Sequence, residues 1–393
     1  MAEILYIDSN AKLAQLCLSY HSKSQNNSPY YLFLDTEFIR QTTYYPKLAL
    51  IQITDGEQLA IIDPLAIDDL NPFYKLCFNT DITKVFHSGS QDLEIFYYLW
   101  GELPRPIFDT QIAAAVLGYG QQIGYANLVH DLLHIELDKS QTRTNWLKRP
   151  LTPAQITYAA NDVIYLEKIF HQLLSQLNEL NRLHWLDEDF RQQSLTSTYC
   201  IKLDEIWRKV KGFQRLRQNQ LVYLQALAKM REEFAIKKDR VRKHIISDDN
   251  LLKLARSQPR NHQQLINCDL PEKQANALGE HIINNIKLSD KITIDKHPEL
   301  PKKHILNNQQ EAICECLMAL CQLSAKEHNI STSFLCQRKE LEKLVIHKDN
   351  IEQSNSSLLN GWRHELLGNQ VKMFLSGKAQ LTIKDGLLGL ENG

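Results

Sequence analysis

Four carboxylates and one tyrosine, distributed over three short motifs, constrain this sequence more than any other feature. The motifs are FLDTEF with Asp35 and Glu37, FHSGSQDLEIF with Asp92, and YAAND with Tyr158 and Asp162. Asp35 and Glu37 are two residues apart on a predicted strand, so both side chains leave the same face. Tyr158 and Asp162 are four residues apart on a predicted helix and also share a face. A fold that uses all five must bring distant parts of the chain to one point.

Local patterns predict alternating strands and helices in the first half of the chain. Apolar runs bounded by turn residues predict strands at 30–38, 47–55, 58–64 and 83–88. Helical patterns cover 89–100, 125–134 and 153–180, and 106–118 passes from strand to helix. Thr152 and Pro153 are typical of a helix start, as the N-cap and the first helical residue. The short connections between the first three strands predict an antiparallel meander within an α/β domain that has a mixed sheet.

The second half of the chain is predicted to be helical. Helical patterns run from 213 to 288, with Asp248 and Pro271 where helix starts are expected, and a second helical set follows Asn307. The charged stretch before that set holds two prolines and predicts a linker. A length of 393 residues suits two or three domains. We predict domains at 1–205, 212–290 and 305–393, with the linker at 291–304.

Charge is distributed unevenly along the chain. Residues 1–200 contain 14 Lys and Arg against 23 Asp and Glu, whereas residues 208–243 contain 12 basic against 3 acidic residues. The basic block suits contacts with nucleic-acid phosphates, although a solvated helix face explains any single lysine equally well. We expect a cytoplasmic protein without a membrane partner, because no apolar run has membrane length and we recognise no secretory signal. A monomer is also expected, although the sequence does not fix the oligomeric state. The eight cysteines form no disulfide framework or zinc-site spacing.

Carboxylates gathered at one site repel one another, and divalent cations remove that repulsion. Ligation by oxygen alone favours Mg²⁺ or Mn²⁺ over zinc. A pair of such ions stabilises both the attacking and the leaving oxygen of a displacement at phosphorus, and the Tyr158 hydroxyl could orient the attacking water. Each motif alone is more often a strand end, a helix cap or an ordinary helix face. Together they predict metal-dependent hydrolysis of a phosphodiester.

The three motifs resemble the exonuclease motifs of the DEDD superfamily, tyrosine subclass. The wider segments FDTQIAAAVLG and DKSQTRTNWLKRPLTPAQITYAANDV resemble the ribonuclease D family. The resemblance implies a ribonuclease H-like fold and 3′→5′ hydrolysis of RNA that releases nucleoside 5′-monophosphates, with tRNA precursors as the expected substrates. It also implies that Asp35, Glu37 and Asp162 hold the first metal ion. Asp35 would bridge to a second ion, which Asp92 would bind directly or through water.

Further residues are weaker candidates for substrate contacts. Phe38 and Gln52 could border the terminal nucleotide, although a core role explains Phe38 as well. His87 matches a position that is often histidine in this family, where we expect a structural role. Three basic residues of the segment 139–150 could contact phosphates, and an ordinary solvated loop is the equal alternative; they are Arg143, Lys148 and Arg149.

The rear of the chain resembles HRDC domains, which are all-α modules. Residues 213–290 carry the better match, in YLQALAKMREEFAIKKDR, although Met230 stands where tryptophan is usual before the arginine. Residues 305–393 resemble the second, more divergent HRDC-like domain of the same family. The resemblance implies that both modules position substrate.

Two alternatives remain open at the level of the sequence. A DNA 3′→5′ exonuclease would carry the same five motif residues. An RNA-binding scaffold could keep the nuclease fold without turnover.

Overall fold

A six-stranded mixed sheet forms the centre of the N-terminal half. The computed structural model describes residues 3–300 and 305–392, and its strands in this sheet are ordered β1-β4-β3-β2-β5-β6. The strands are β1 (Ile4–Ile7), β2 (Tyr30–Ile39), β3 (Lys47–Thr54), β4 (Leu59–Ile62), β5 (Ile82–Phe86) and β6 (Ile107–Asp109). Pairing is antiparallel between β3 and β4 and parallel for β1 with β4, β2 with β5, and β5 with β6. The mixed α/β sheet predicted from sequence is confirmed.

Strand β1 was not predicted from the sequence. Its four residues, ILYI, pair with β4 from the edge of the sheet, with Ile4 opposite Leu59 and Ile7 opposite Ile62. A run this short has no periodicity that distinguishes a strand from a loop. Only the long-range pairing with β4 defines it.

Helices surround this sheet, and the longest of them carries two motif residues. The helices are α1 (Asn10–Asn26), α2 (Asn71–Cys77), α3 (Ser90–Trp100), α4 (Thr110–Val116), α5 (Tyr125–Leu133), α6 (Pro153–Glu179), α7 (Asp187–Gln193) and α8 (Thr196–Tyr199). Helix α6 begins as predicted, because Thr152 accepts a hydrogen bond from the Gln155 amide and the Gln155 side chain accepts one from the Thr152 amide. This capping box fixes where the YAAND motif lies along the helix.

Residues 3–37, 49–198 and 305–392 form one compact unit. The C-terminal part adds α14 (Asn308–Glu327), α15 (Thr332–Leu335), α16 (Arg338–Ile346), α17 (Gly361–Arg363) and α18 (Asn369–Leu375). A continuous hydrophobic core includes residues from both parts, such as Leu177 and Leu341. The domain boundary predicted before residue 305 therefore separates segments that share a core.

Two contacts illustrate how the C-terminal helices pack on the N-terminal part of this unit. The Trp362 ring stacks on Trp185 at 4.6 Å between centroids and 7° between planes, and its indole Nε1 donates to the Trp185 carbonyl at 3.0 Å. Arg182 donates to the carbonyl of His328 at 2.6 Å. Stacked aromatic rings with a satisfied N–H stabilise a buried contact beyond the area that they cover.

The C-terminal segment also contains a hairpin that was not predicted. Strands β7 (Ala379–Lys384) and β8 (Leu387–Asn392) pair antiparallel through the dipeptide Asp385–Gly386. Both turn residues have positive φ, 53° and 77°, as a two-residue hairpin turn requires. The Asp-Gly dipeptide is a hairpin signal in the sequence, but it lies in a region whose other patterns predict helices.

The second compact unit comprises residues 38–48 and 199–300. Its helices are α9 (Leu221–Lys237), α10 (Arg242–Ile245), α11 (Asp248–Ser257), α12 (His262–Ile266) and α13 (Glu272–Ser289). The helix starts at Asp248 and after Pro271 agree with the sequence prediction. The Glu232 carboxylate is fully buried and accepts from Tyr44 and from two nitrogens of Arg242, both at 2.6 Å. Three donors on one buried carboxylate explain why it tolerates burial.

Two predictions concern features outside these cores. In the described part of the chain, every helix is too short or too polar to cross a membrane. The predicted linker at 291–304 lies only partly within the described residues, since 301–304 fall outside them.

The shared core predicts that truncating Trp362 weakens the whole first unit. Trp362→Ala should lower the free energy of unfolding by about 3–5 kcal/mol, because it removes the stack on Trp185 and leaves a cavity. Chemical denaturation followed by circular dichroism measures the loss. Ile383→Ala is the control, because Ile383 is 77% exposed and should change stability by less than about 0.5 kcal/mol. Equal effects of the two substitutions would contradict the shared core.

Candidate active site

Three of the four predicted carboxylates converge in the structure. One oxygen each from Asp35, Glu37 and Asp162 lies within 4.8 Å of the other two. Asp35 and Glu37 come from β2, where the two-residue spacing turns both side chains to one face, and Asp162 comes from α6. Residues 35 and 162 are distant in sequence, so the packing of α6 against the sheet brings them together.

Asp92 is buried beside this group rather than within it. It lies in the first turn of α3 and is 7% exposed. Its Oδ1 accepts a hydrogen bond from Thr36 Oγ1 at 2.5 Å. Because Thr36 stands between Asp35 and Glu37 on β2, this bond ties α3 to the strand that carries the two other acids. The arrangement places one carboxylate next to a cluster of three.

A pocket of about 230 Å³ opens onto the carboxylates. Asp35, Glu37, Asp162, His87, Tyr125 and Tyr158 are among its lining residues. The Tyr158 hydroxyl is 3.4 Å from Thr142 Oγ1, and its ring centroid lies 5.9 Å from that of Trp146. A neighbouring pocket of about 500 Å³ shares Tyr125, Tyr158 and Asp162 with the first. The phenol therefore lies at the border between the acidic pocket and a larger open one.

Burial and mutual repulsion make these acids hard to ionise. Burial, followed by the charges of Asp162 and Asp92, raises the pKa of Glu37 to about 9. Burial raises the pKa of Asp162 to about 8 and that of Asp92 to about 7, the latter against the hydrogen bond from Thr36. Burial and then Asp162 raise the pKa of Asp35 well above its ordinary value. Strong shifts of neighbouring carboxyls in one pocket are typical of a functional site.

The donor set fits hard divalent cations. The three clustered ligands are all carboxylate oxygens, which Mg²⁺ and Mn²⁺ prefer, and no histidine or cysteine joins this group in the described residues. A bound cation would remove the repulsion that raises these pKa values. Burial, followed by the charge of Asp162, also raises the pKa of Tyr158 to about 12, so its phenol keeps its proton at neutral pH.

His87 has both ring nitrogens engaged within the protein. Nδ1 lies 3.0 Å from Thr110 Oγ1 and Nε2 lies 3.1 Å from the carbonyl of Ile123. Because Nε2 faces a carbonyl, it must carry a proton and cannot be a metal ligand. Burial lowers the pKa of the imidazole. The structural role expected for His87 agrees with these contacts.

Arg149 does not suit the substrate contact considered for it. Its Nε and Nη2 bind the carboxylate of Asp63 at 2.5 and 2.8 Å, and Nη2 also donates to Ala49 O at 2.7 Å. Nη1 donates to the carbonyl of Trp146 at 2.7 Å. All three guanidinium nitrogens are thus engaged inside the unit, and the residue anchors its loop to the sheet.

The other weak candidates have different environments. Arg143 and Lys148 lie on the long loop between α5 and α6, where contacts with phosphates remain a proposal. Phe38 follows Glu37 on β2 and is partly exposed. Gln52 is fully buried on β3, and its amide has no hydrogen-bond partner among the described residues. Burial of Gln52 argues against a direct contact with the terminal nucleotide.

Two residues at the site were not predicted from the sequence. Thr36 bonds Asp92, as described above. Tyr125 lines the acidic pocket, and its hydroxyl donates to the backbone carbonyl of Asp162 at 2.6 Å. Thr36 lies inside the FLDTEF motif, but no local pattern distinguishes its role. Tyr125 reaches the site only through the packing of α5 against α6.

Family models match two parts of the chain. A model described as 3′-5′ exonuclease matches residues 4–178, and a model of the HRDC domain matches residues 220–286. The first range contains all five motif residues. The second range falls within the segment whose sequence resembles an HRDC domain.

Curated relatives and a solved structure cover nearly the whole chain. A ribonuclease D of Pseudomonas paraeruginosa is 37% identical over 93% of this chain and 96% of its own length. A ribonuclease D of Bartonella henselae is 34% identical over 91% of this chain and 87% of its own. The crystal structure of Escherichia coli RNase D, an exoribonuclease involved in structured RNA processing, has a TM-score of 0.82 and 31% identity. That similarity covers 96% of this chain and 100% of the other.

The raised pKa values predict a stability that depends on pH and on metal. In the unfolded chain these carboxyls have pKa values of about 4, and in the folded chain their pKa values are higher. At a pH between the two values, the folded state therefore binds more protons than the unfolded state. Without metal, the free energy of unfolding should therefore fall as the pH rises from about 5 to about 9. Mg²⁺ replaces those protons, so its effect on Tm should be larger at about pH 8 than at about pH 6.

Differential scanning calorimetry with and without Mg²⁺ measures this effect. The double variant Asp35→Asn, Asp162→Asn should lose most of the pH dependence of the Mg²⁺ effect. An equal rise in Tm at both pH values in the unmodified protein would contradict the prediction.

Proposed function

Because the chain belongs to the ribonuclease D family of 3′→5′ exoribonucleases, we propose that its acidic pocket cleaves RNA with two divalent cations. Mg²⁺ or Mn²⁺ is the expected ion in the cell. The observation that carries this proposal is the convergence of Asp35, Glu37 and Asp162 within 4.8 Å. The released product is a nucleoside 5′-monophosphate.

Each carboxylate has a proposed place in binding the ions. Asp35, Glu37 and Asp162 would hold the first ion, and Asp35 would also contribute to the second. Asp92, buried beside them and oriented by Thr36, serves the second ion directly or through water. Divalent cations here supply positive charge where negative charge develops on the phosphate oxygens of the transition state.

Tyr158 is the proposed residue that orients the attacking water. Its hydroxyl lines the acidic pocket and keeps its proton at neutral pH, so it can donate to one oxygen and accept from another. A phenol in this position fixes the direction of attack without taking the proton itself. The pocket beside it, about 500 Å³, offers space for a nucleotide next to the reacting phosphate.

We propose precursors of tRNA and other structured RNAs as substrates of a monomeric, cytoplasmic enzyme. Support comes from the family and from the Escherichia coli relative, an exoribonuclease involved in structured RNA processing. Of the predicted domains, exonuclease at 1–205 supplies the catalytic part and HRDC at 212–290 a part that holds RNA. The second HRDC-like module predicted at 305–393 shares a hydrophobic core with the exonuclease part, so we propose that it acts together with it.

A cleavage assay on labelled oligomers tests the proposed function. RNA and DNA of one sequence, labelled at the 5′ end, are incubated with the protein and Mg²⁺, with single-stranded or hairpin-blocked 3′ tails. We expect stepwise shortening of RNA from the single-stranded 3′ end. Preference for DNA would favour a DNA exonuclease, and RNA binding without release of mononucleotide would favour a scaffold.

Neutralising a clustered carboxylate should abolish cleavage and spare RNA binding. Asp35→Asn or Asp162→Asn should lower kcat by about 10²–10³-fold or more, because each removes a ligand of the cations whose positive charge stabilises the transition state. Tyr158→Phe should lower kcat while Mn²⁺ affinity stays nearly unchanged, since the phenol is not a ligand. Single-turnover cleavage and isothermal titration with Mn²⁺ provide the two measurements. Loss of Mn²⁺ affinity in Tyr158→Phe would contradict its role.

Exposed basic residues at the end of α9 should contribute salt-sensitive affinity. Lys237, Lys238 and Arg240 are all exposed in the second unit. Replacing the three with glutamine should weaken binding of structured RNA. It should also reduce the slope of log affinity against log salt by about 0.7 for each phosphate that the variant no longer neutralises.

Fluorescence anisotropy across a salt series measures this slope. The control replaces three other exposed lysines of the same unit with glutamine, which changes the net charge equally; they are Lys273, Lys287 and Lys291. Equal losses in both triple variants would show that only net charge matters.

A further inference from the structure

A buried aspartate outside the five motif residues accepts four hydrogen bonds. Asp109 ends β6, caps the start of α4 and is 2% exposed. Its Oδ1 accepts from the amides of Ser88 and Gln111, both at 2.9 Å. Its Oδ2 accepts from the Gly89 amide at 2.9 Å and from Gln193 Nε2 at 2.8 Å. These neutral donors compensate the buried carboxylate with hydrogen bonds instead of a counter-ion.

The turn that Asp109 holds has an unfavourable backbone conformation. Ser88 has a φ of 57°, in the left-handed region that non-glycine residues rarely adopt. At Gly89 a Cβ atom would lie 2.6 Å from Cβ of Phe86, so only glycine fits without a shift. Such a conformation persists only where surrounding contacts determine it. The two bonds from consecutive amides to one carboxylate are contacts of this kind.

The position of Asp92 follows from this turn. Gly89 is the N-cap of α3, and no side chain of its own segment caps that helix. Asp92 is the third residue of α3. The turn at 88–89 therefore determines the position of Asp92 along the helix axis and the direction in which its side chain projects. The second restraint is the bond from Thr36 at 2.5 Å. One restraint acts on the carboxylate and the other on the helix that carries it.

We propose that Asp109 is a positioning residue for Asp92, acting through the Ser88–Gly89 turn; this inference rests on the proposed function. Asp109 anchors the starts of α3 and α4 on one carboxylate. It contacts neither substrate nor cation in this role. Its contribution is to hold the ligand of the second ion in place before the ion binds.

Asp109→Asn tests this role with little change of shape. Whichever way the amide is oriented, its NH₂ group faces two of the four donors and cannot accept from them. Because each oxygen of Asp109 accepts from one amide of the 88–89 turn, either orientation removes one of the two anchors of that turn. Gly89→Ala is the second variant, because its Cβ would meet Phe86 and displace the turn while the Asp109 side chain keeps its chemistry.

Asp55→Asn is the matched control. The Asp55 side chain is 2% exposed and also holds a turn, accepting from the amides of Glu57 and Gln58 at 3.1 and 2.8 Å. It lies at the β3–β4 connection, away from the 88–89 turn. Its Oδ2 also pairs with Lys23 Nζ at 2.7 Å and accepts from the Tyr30 hydroxyl at 2.8 Å. Asp55→Asn therefore reports the cost of neutralising a buried, hydrogen-bonded aspartate in the same unit.

Hydrogen–deuterium exchange without metal and Mn²⁺ titration followed by electron paramagnetic resonance provide the readouts. In Asp109→Asn and Gly89→Ala, amide exchange in the segment 86–93 should accelerate. The weaker Mn²⁺ site should lose about 10-fold in affinity, the lower end of the loss seen when a direct partner of a metal ligand is removed, because Asp109 acts through the backbone turn, while the tighter site is retained. In Asp55→Asn, exchange in this segment and both Mn²⁺ affinities should equal those of the unmodified protein.

The outcomes separate this inference from the proposed function. If Asp109→Asn leaves exchange in 86–93 unchanged, or accelerates it while both Mn²⁺ affinities stay within about twofold, the positioning role is wrong. If the unmodified protein itself binds fewer than two Mn²⁺ ions, the proposed function fails and this inference fails with it. If the unmodified protein binds two Mn²⁺ ions and Asp55→Asn weakens their binding as much as Asp109→Asn does, the specific role of Asp109 is also wrong.

Discussion

Repulsion among carboxylates in a small, partly buried pocket is the constraint on which the rest of this structure depends. The pKa values of Glu37 and Asp162 are about 9 and about 8, so ionising both at neutral pH is unfavourable in the metal-free fold. The folded chain must therefore hold together a cluster that opposes its own assembly. A divalent cation changes the sign of that interaction, because the same oxygens then attract a shared charge. The repulsion in this cluster therefore makes stability depend on pH and on bound cations.

The scaffold resists this repulsion with contacts placed away from the carboxylates. The capping box at Thr152 fixes α6, and the hydroxyl of Tyr125 holds the backbone carbonyl of Asp162. The stack of Trp362 on Trp185 adds C-terminal helices to the same hydrophobic core. Rigid elements with buried apolar faces can hold groups that would separate on a flexible loop. In this family member the C-terminal segment is therefore part of the scaffold of the catalytic unit.

Three other buried carboxylates are stabilised by direct hydrogen-bond donors. Asp109 relies on four amide donors, whereas Glu232 and Asp63 each combine a tyrosine hydroxyl with an arginine. The clustered acids of the pocket instead face one another across a pocket, as suits carboxylates that bind a ligand. This difference in partners also explains why Arg149, tied to Asp63, is unsuited to bind phosphate.

Local periodicity in the sequence determined the mixed sheet and the longest helix, together with the same-face pairs of Asp35 with Glu37 and Tyr158 with Asp162. These follow from spacings of two and four residues, which the backbone converts directly into geometry. Short elements such as β1 were not predicted, because four residues are too few to show a periodicity. Only the tertiary structure decided that Asp92 lies beside the trio rather than within it. It also decided that Asp109 accepts hydrogen bonds from the turn before α3. Such contacts join segments that are distant in sequence, and no local pattern predicts that these segments lie close together.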